Sequence, residues 1–165
     1  MARPPPSECI YVIDTSSWIA ISEHPAQNLV RDRLATLFEA ERIKFPIEVF
    51  NELTQVSDFV KWLQQYKTVA CENFRSDVSY LKLVGEITFR FPAMVGARST
   101  RNKADPYVVA TAVHGAQNPH RRLVVCDETI TVRPGRKMPT ACAAYDISCI
   151  SILTMLDQEY PEDGW

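Results

Sequence analysis

Short, almost wholly apolar segments alternating with helical stretches constrain this chain more than any other feature. Residues 10–13 (Ile-Tyr-Val-Ile) and 123–125 (Leu-Val-Val) contain no charged residue, and 148–152 is similar. A strand with one face in water alternates apolar and polar side chains, whereas a strand covered on both faces does not. These segments therefore predict buried parallel strands, with a further short strand at 43–45. Helical spacing of apolar residues predicts helices over 18–21, 28–41, 46–53, 57–63, 77–91, 104–116, 138–145 and 153–159. In the 77–91 helix, Val78, Leu81, Val84, Ile87 and Phe91 are expected on one inward face. The pattern implies an α/β fold with a mostly parallel sheet of four to five strands between two helical layers. A tail is expected over 1–9, one domain over 10–159, and a second tail over 160–165.

Composition narrows the setting. With 46% hydrophobic and 23% charged residues, the chain has the balance of an ordinary globular domain. No apolar run approaches the roughly 20 residues of a membrane helix, and the first residues lack the apolar core of a signal peptide. A cytoplasmic protein without membrane association is expected. Five scattered cysteines with no C-x-x-C pair predict reduced thiols and no zinc site. The net charge is −2, which excludes a polycation. Residues 90–140 nevertheless hold nine basic residues against three acidic ones, a local +6. Such a stretch suits a phosphate-rich partner.

The acids fall at telling places. Asp14 directly follows the first strand, and Asp127 and Glu128 follow the one at 123–125. Glu52 lies in a helix that directly follows a strand, and Asp105 opens another just ahead of Pro106. In an open parallel sheet, function gathers beyond the carboxyl ends of the strands. Each acid also has a structural reading: Asp14 and Asp105 as helix caps, Glu52 as a solvated helix residue, Asp127 or Glu128 as turn residues. The combination argues for a shared site, because capping does not require acids from separate elements to meet on one rim. Clustered carboxylates need a cation, and oxygen donors suit Mg²⁺ or Mn²⁺. No glycine-rich phosphate loop is present. Ser16 occupies the place where a haloacid-dehalogenase-type phosphatase needs its second Asp, and Thr15 and Ser16 do not supply the acid pair of a receiver domain.

These residues resemble the motifs of PIN-domain ribonucleases. Tyr11-Val12-Ile13-Asp14-Thr15-Ser16-Ser17 resembles the first, Val49-Phe50-Asn51-Glu52-Leu53 the second, Lys103-Ala104-Asp105-Pro106-Tyr107-Val108-Val109-Ala110 the third, and Val124-Val125-Cys126-Asp127-Glu128 the fourth. Trp62, and Lys137-Met138-Pro139 followed by Cys142, resemble a PIN-like subgroup of toxins from bacterial toxin–antitoxin pairs. The resemblance implies a three-layer α/β/α fold and Mg²⁺- or Mn²⁺-dependent hydrolysis of RNA. It implies metal held by Asp14, Glu52 and Asp105, with either Asp127 or Glu128 as the fourth acid. Cys126 stands where many members carry Thr or Ser, so a hydroxyl contact would have to come from Thr15 or Ser16. Arg101, Lys103, Arg133, Arg136, Lys137, Thr15 and Ser16 are the implied RNA contacts. A cognate antitoxin and a homodimer are the implied protein partners. The alternative is a non-catalytic PIN-like module that binds RNA or a partner protein.

Overall fold

Five parallel strands form the centre of the computed structural model, which describes residues 9–53, 57–95, 104–116, 121–127 and 138–165. They are β1 (Cys9–Ile13), β2 (Ile43–Pro46), β3 (Cys71–Glu72), β4 (Arg121–Val125) and β5 (Ser148–Ile150), in the order β3-β2-β1-β4-β5. Helices α1 (Thr15–Glu23) and α2 (Gln27–Glu39) lead from β1 to β2. Helices α3 (Ile47–Glu52), α4 (Ser57–Gln64) and α5 (Lys67–Ala70) precede β3. Helices α6 (Val78–Arg90) and α7 (Asp105–Gly115) precede β4, α8 (Met138–Ala144) precedes β5, and α9 (Ile152–Glu159) follows it. Helices α1, α2 and α9 pack together, as do α6, α7 and α8, and the two groups cover the sheet as a three-layer α/β/α sandwich. No described helix is long and apolar enough to cross a membrane.

Strand β1 is the middle of the sheet. It pairs along its whole length with β4, Cys9 beside Arg121 through Ile13 beside Val125, and with β2 on its other side. Tyr11, Val12 and Ile13 are buried, which explains the absence of polar alternation. The chain leaves β1 toward β2 in one direction, while β4 lies on the other side. The switch point of the topology is therefore the crevice beyond the carboxyl ends of β1 and β4. The wall behind it is aromatic. Trp18 on α1 is fully buried, stacked on Phe38 at 6.1 Å and edge-on to Phe45 at 5.8 Å.

Several elements depart from the sequence expectation. β3 has two residues and no periodicity to betray it; it exists because Phe45 and Pro46 offer an open strand edge to Cys71 and Glu72. The helix expected from Pro46 starts one residue later, since Pro46 ends β2 with extended backbone. On α6 the buried residues are Tyr80, Val84 and Ile87, whereas Val78 and Leu81, expected inward, are 66% and 43% exposed. The expected tail over 160–165 packs against the domain instead. Tyr160 donates its hydroxyl to the Arg33 carbonyl, Asp163 accepts two bonds from the Arg33 guanidinium at 2.6 and 2.8 Å, and Trp165 donates to the Tyr160 carbonyl. None of the five cysteines is in a disulfide.

One buried charge pair ties α7 to the sheet. Arg122 on β4 is 5% exposed and donates to both oxygens of Glu72 on β3, at 2.6 and 2.9 Å, and to the Thr111 carbonyl. Its guanidinium runs over Gly115. A Cβ on Gly115 would lie 2.0 Å from Arg122 Cζ. Breaking one half of a buried pair costs about 3–5 kcal/mol, because it leaves an uncompensated charge. Gly115→Ala is therefore expected to lose about 3 kcal/mol of unfolding free energy, read from the denaturation midpoint in urea. A loss under about 0.5 kcal/mol would mean that Arg122 swings aside at no cost.

Candidate active site

The site is built on the turn where β1 becomes α1. Asp14 leaves the strand with its N–H bonded to the Val125 carbonyl at 3.0 Å, so the ends of β1 and β4 are clamped together. Its backbone is extended, and its Oδ1 accepts from the Ser17 N–H at 2.8 Å, which makes it the N-cap of α1. Its Oδ2 accepts from the Ser16 hydroxyl at 2.7 Å. Asp14 thus performs the capping role and is at the same time a carboxylate only 2% exposed. Burial pushes its carboxyl group above the ordinary aspartate range. The Ser17 N–H, the Ser16 hydroxyl and the Cys126 thiol pull part of the way back.

Glu52 approaches from α3. Its Oε2 accepts from the Thr15 hydroxyl at 2.6 Å, and its Oε1 accepts from the Ala104 N–H at 3.1 Å. It is therefore a braced carboxylate, not a solvated one, and it joins the start of α1 to the start of α7. Asp105 follows Ala104 immediately and is 7% exposed in the first turn of α7, with Pro106 beside it. There a carboxylate also meets the positive end of the helix. Glu52 thus ties the residue after Asp14 to the residue before Asp105.

Asp127 reaches the same rim by its backbone only. Its N–H donates to Ser16 Oγ at 3.2 Å, while its carboxylate turns toward α9 and accepts from the Ile152 N–H, at 3.2 and 3.4 Å. There it borders a cavity of about 130 Å³ lined by Ala20, Ile21, Val30 and Leu156. The cause is the helix start, whose first N–H groups lack partners within the helix. Of the two acids after β4, Asp127 is thus committed to a structural bond. Glu128 lies outside the described residues, as do Arg101, Lys103, Arg133, Arg136 and Lys137.

Thr15 and Ser16, implied as RNA contacts and as possible sources of the missing hydroxyl, both give their hydroxyl hydrogens to carboxylates. Ser16 is the residue whose importance the sequence understated: it links Asp14 to Asp127 and supplies the hydroxyl that Cys126 lacks. Its position two residues after an N-capping Asp was the available signal. The basic stretch also shrinks, since Arg122 is sealed against Glu72 and Arg90 bonds to Glu86.

The donor set can be tested against a hard cation. Among the described residues, no three His, Cys, Asp or Glu side chains form a ready metal cage. Glu52 and Asp127 face backbone and hydroxyl donors instead. Mg²⁺, however, is commonly held by one or two carboxylates, with waters and substrate phosphates completing its shell. A buried oxygen-only carboxylate with its pKa raised by desolvation fits such an ion, which would restore the compensation that burial removes.

The stability of Asp14 variants measures that strain. A folded-state pKa above the unfolded value means that stability is full at low pH and is lost as pH rises and the buried group ionises. Asn caps a helix as well as Asp does. In chelator, Asp14→Asn is therefore expected to be more stable than the parent near pH 7.5. The gap should close as pH falls into the ordinary aspartate range. Equal loss of stability at every pH, followed by thermal unfolding, would refute the charge argument.

Comparison with known proteins adds a family and no named relative. No curated protein matches the chain. A family model described as a domain of unknown function, DUF4411, matches residues 11–161. That span runs from β1 through the contacts made by Tyr160 and takes in the whole carboxylate rim, so the chain belongs to the DUF4411 family.

Proposed function

We propose that this chain is a Mg²⁺- or Mn²⁺-dependent endoribonuclease, and that it is the toxin of a toxin–antitoxin pair that works in the cytoplasm as a homodimer. The observation that carries the nuclease reading is Asp14: a carboxylate buried at the topological switch point, clamped between two strand ends, and flanked by Glu52 and Asp105. Nothing in folding alone requires a charge there, because Asn or Ser would cap α1 equally well. The finer terms, toxin, antitoxin and RNA, rest on the resemblance to PIN-domain nucleases.

In this reading Asp14 and Asp105 hold the ion, and Glu52 acts through Thr15 and Ala104 to fix the spacing between them. Glu128 takes the fourth acidic place. The ion, when bound, supplies Lewis-acid polarisation of the phosphodiester and activation of water. The chain's own residues do the positioning. Ser16 holds the Asp14 carboxylate in one rotamer, and the two strand ends keep it from turning away. The buried setting strengthens every charge interaction made there. Arg101, Lys103, Arg133, Arg136 and Lys137 are the proposed phosphate contacts.

A second reading has its own support. The absence of a three-ligand cage among the described residues favours a non-catalytic module that binds RNA or a partner protein. Cleavage decides between them. The parent is expected to cut RNA in Mg²⁺ or Mn²⁺ and to stop in chelator, and Asp14→Asn and Asp105→Asn are each expected to fall at least about a hundredfold. If both variants cut as well as the parent, the site assignment is wrong. RNA binding without any cutting would favour the module. For the toxin, induced expression of the parent should arrest growth while Asp105→Asn does not. Equal growth of the two would remove that part of the reading.

A further inference from the structure

Asp127 turns its carboxylate toward α9, and the space it borders is hollow. The cavity of about 130 Å³ lies among helices α1, α2 and α9, with Ala20, Ile21, Val30 and Leu156 on its walls and Leu153 at its edge. Ile21, Val30 and Leu156 are buried, whereas Leu153 is 45% exposed, so a ligand has a way in beside it. Protein interiors pack as densely as organic crystals and leave few voids larger than a water molecule. An apolar cavity of about 150 Å³ accommodates benzene, so this one has room for about one ring or a branched alkyl group.

The polar groups on the wall say what kind of ring or chain it takes. The Asp127 carboxylate offers about four lone-pair sites. Both its oxygens share the Ile152 N–H, at 3.2 and 3.4 Å, and among the described residues no Lys or Arg pairs with it. The amide oxygen of an Asn would accept that N–H equally well, so the start of α9 does not require a charge here. His24 is the other polar side chain on the wall, and its Nδ1 is taken by the Ala26 N–H at 3.1 Å. A neutral ring then offers a ligand only its Nε2 donor. Among the described residues, Asp127 is therefore the acceptor side chain that the cavity presents.

We infer that this cavity binds a small organic cation, a primary ammonium on a one-ring or branched alkyl body. The ammonium bonds to the Asp127 carboxylate, and the body lies among Ile21, Val30 and Leu156. Apolar walls with a few placed polar groups are the usual make-up of a ligand pocket. A charge-assisted hydrogen bond is roughly twice as strong as a neutral one, so the carboxylate selects an ammonium over an alcohol of the same shape. An anion of that shape meets a like charge. A ligand of this size supports a dissociation constant of about 0.1 to 1 mM.

The site stands whether or not the chain cuts RNA, and its test reads binding alone. Benzylammonium is the probe, titrated to about 10 mM into the full chain with labelled Ile, Leu and Val methyl groups. Saturable NMR shifts are expected at Ile21, Val30 and Leu156. Benzyl alcohol should bind at least about tenfold more weakly, and benzoate should shift none of the three. Asp127→Asn keeps an acceptor for the Ile152 N–H. It should raise the benzylammonium dissociation constant at least about tenfold while leaving that of benzyl alcohol within about twofold. Ala20→Leu, which fills the hollow, should abolish both while keeping the parent's circular dichroism. The proposal is overturned if benzylammonium gives no saturable shift, or if benzyl alcohol binds the parent as tightly. Unchanged affinity in a folded Asp127→Asn, or binding that survives Ala20→Leu, overturns it as well.

Discussion

The desolvated carboxylate of Asp14 sets the terms for everything around it. Its backbone N–H closes the sheet onto β4, its Oδ1 starts α1, and its Oδ2 fixes Ser16. Ser16 in turn receives the N–H of Asp127, so the turn after β4 is registered against the turn after β1. One residue thereby joins two strand ends through its backbone and one helix through its side chain. Such a constraint is expensive in a protein that needs only to fold, because the ionised carboxylate is held away from water. Its cost is the strongest physical reason to look for chemistry at this point in the fold.

The neighbouring acids divide by what already holds them. Glu52 receives one hydroxyl and one backbone N–H, and both donors lie next to acids, Thr15 after Asp14 and Ala104 before Asp105. It therefore acts as a spacer that transmits the position of α7 to β1. Asp127 satisfies the first free N–H of α9 and has its carboxylate directed away from the rim. Two acids that look alike in sequence thus differ in availability, because one helix start captured one of them.

Much of this was legible before the structure. The apolar runs at 10–13 and 123–125 identified central parallel strands, since only two-sided burial removes polar alternation. The places of Asp14 at the end of β1 and of Asp105 at the start of α7 were legible from the runs beside them. What was not legible depends on tertiary pairing. The two-residue β3 exists only because β2 offers it an edge. The role of Ser16 depends on a strand more than a hundred residues away. Tyr160 to Trp165 reads as a polar end, yet Arg33 captures Asp163 across the fold. On α6 the expected inward face was right at Val84 and Ile87 and wrong at Val78 and Leu81. Tyr80 displaced Val78 and Leu81 from the interior, because its ring packs against Phe74 and His114 while its hydroxyl reaches Thr111 on α7.

The treatment of charge follows the same logic. Counting residues 90–140 as a +6 stretch treats every basic side chain as available, but Arg122 is sealed under α7 by Glu72 and by the absence of a side chain on Gly115. A buried guanidinium with a bidentate partner adds almost nothing to the field outside. Arg122 is therefore not among the cations that could draw a polyanion to this protein. It is thus the pin that joins α7 to the strands, and counting it as a cation open to a partner overstates the charge that the stretch presents outside.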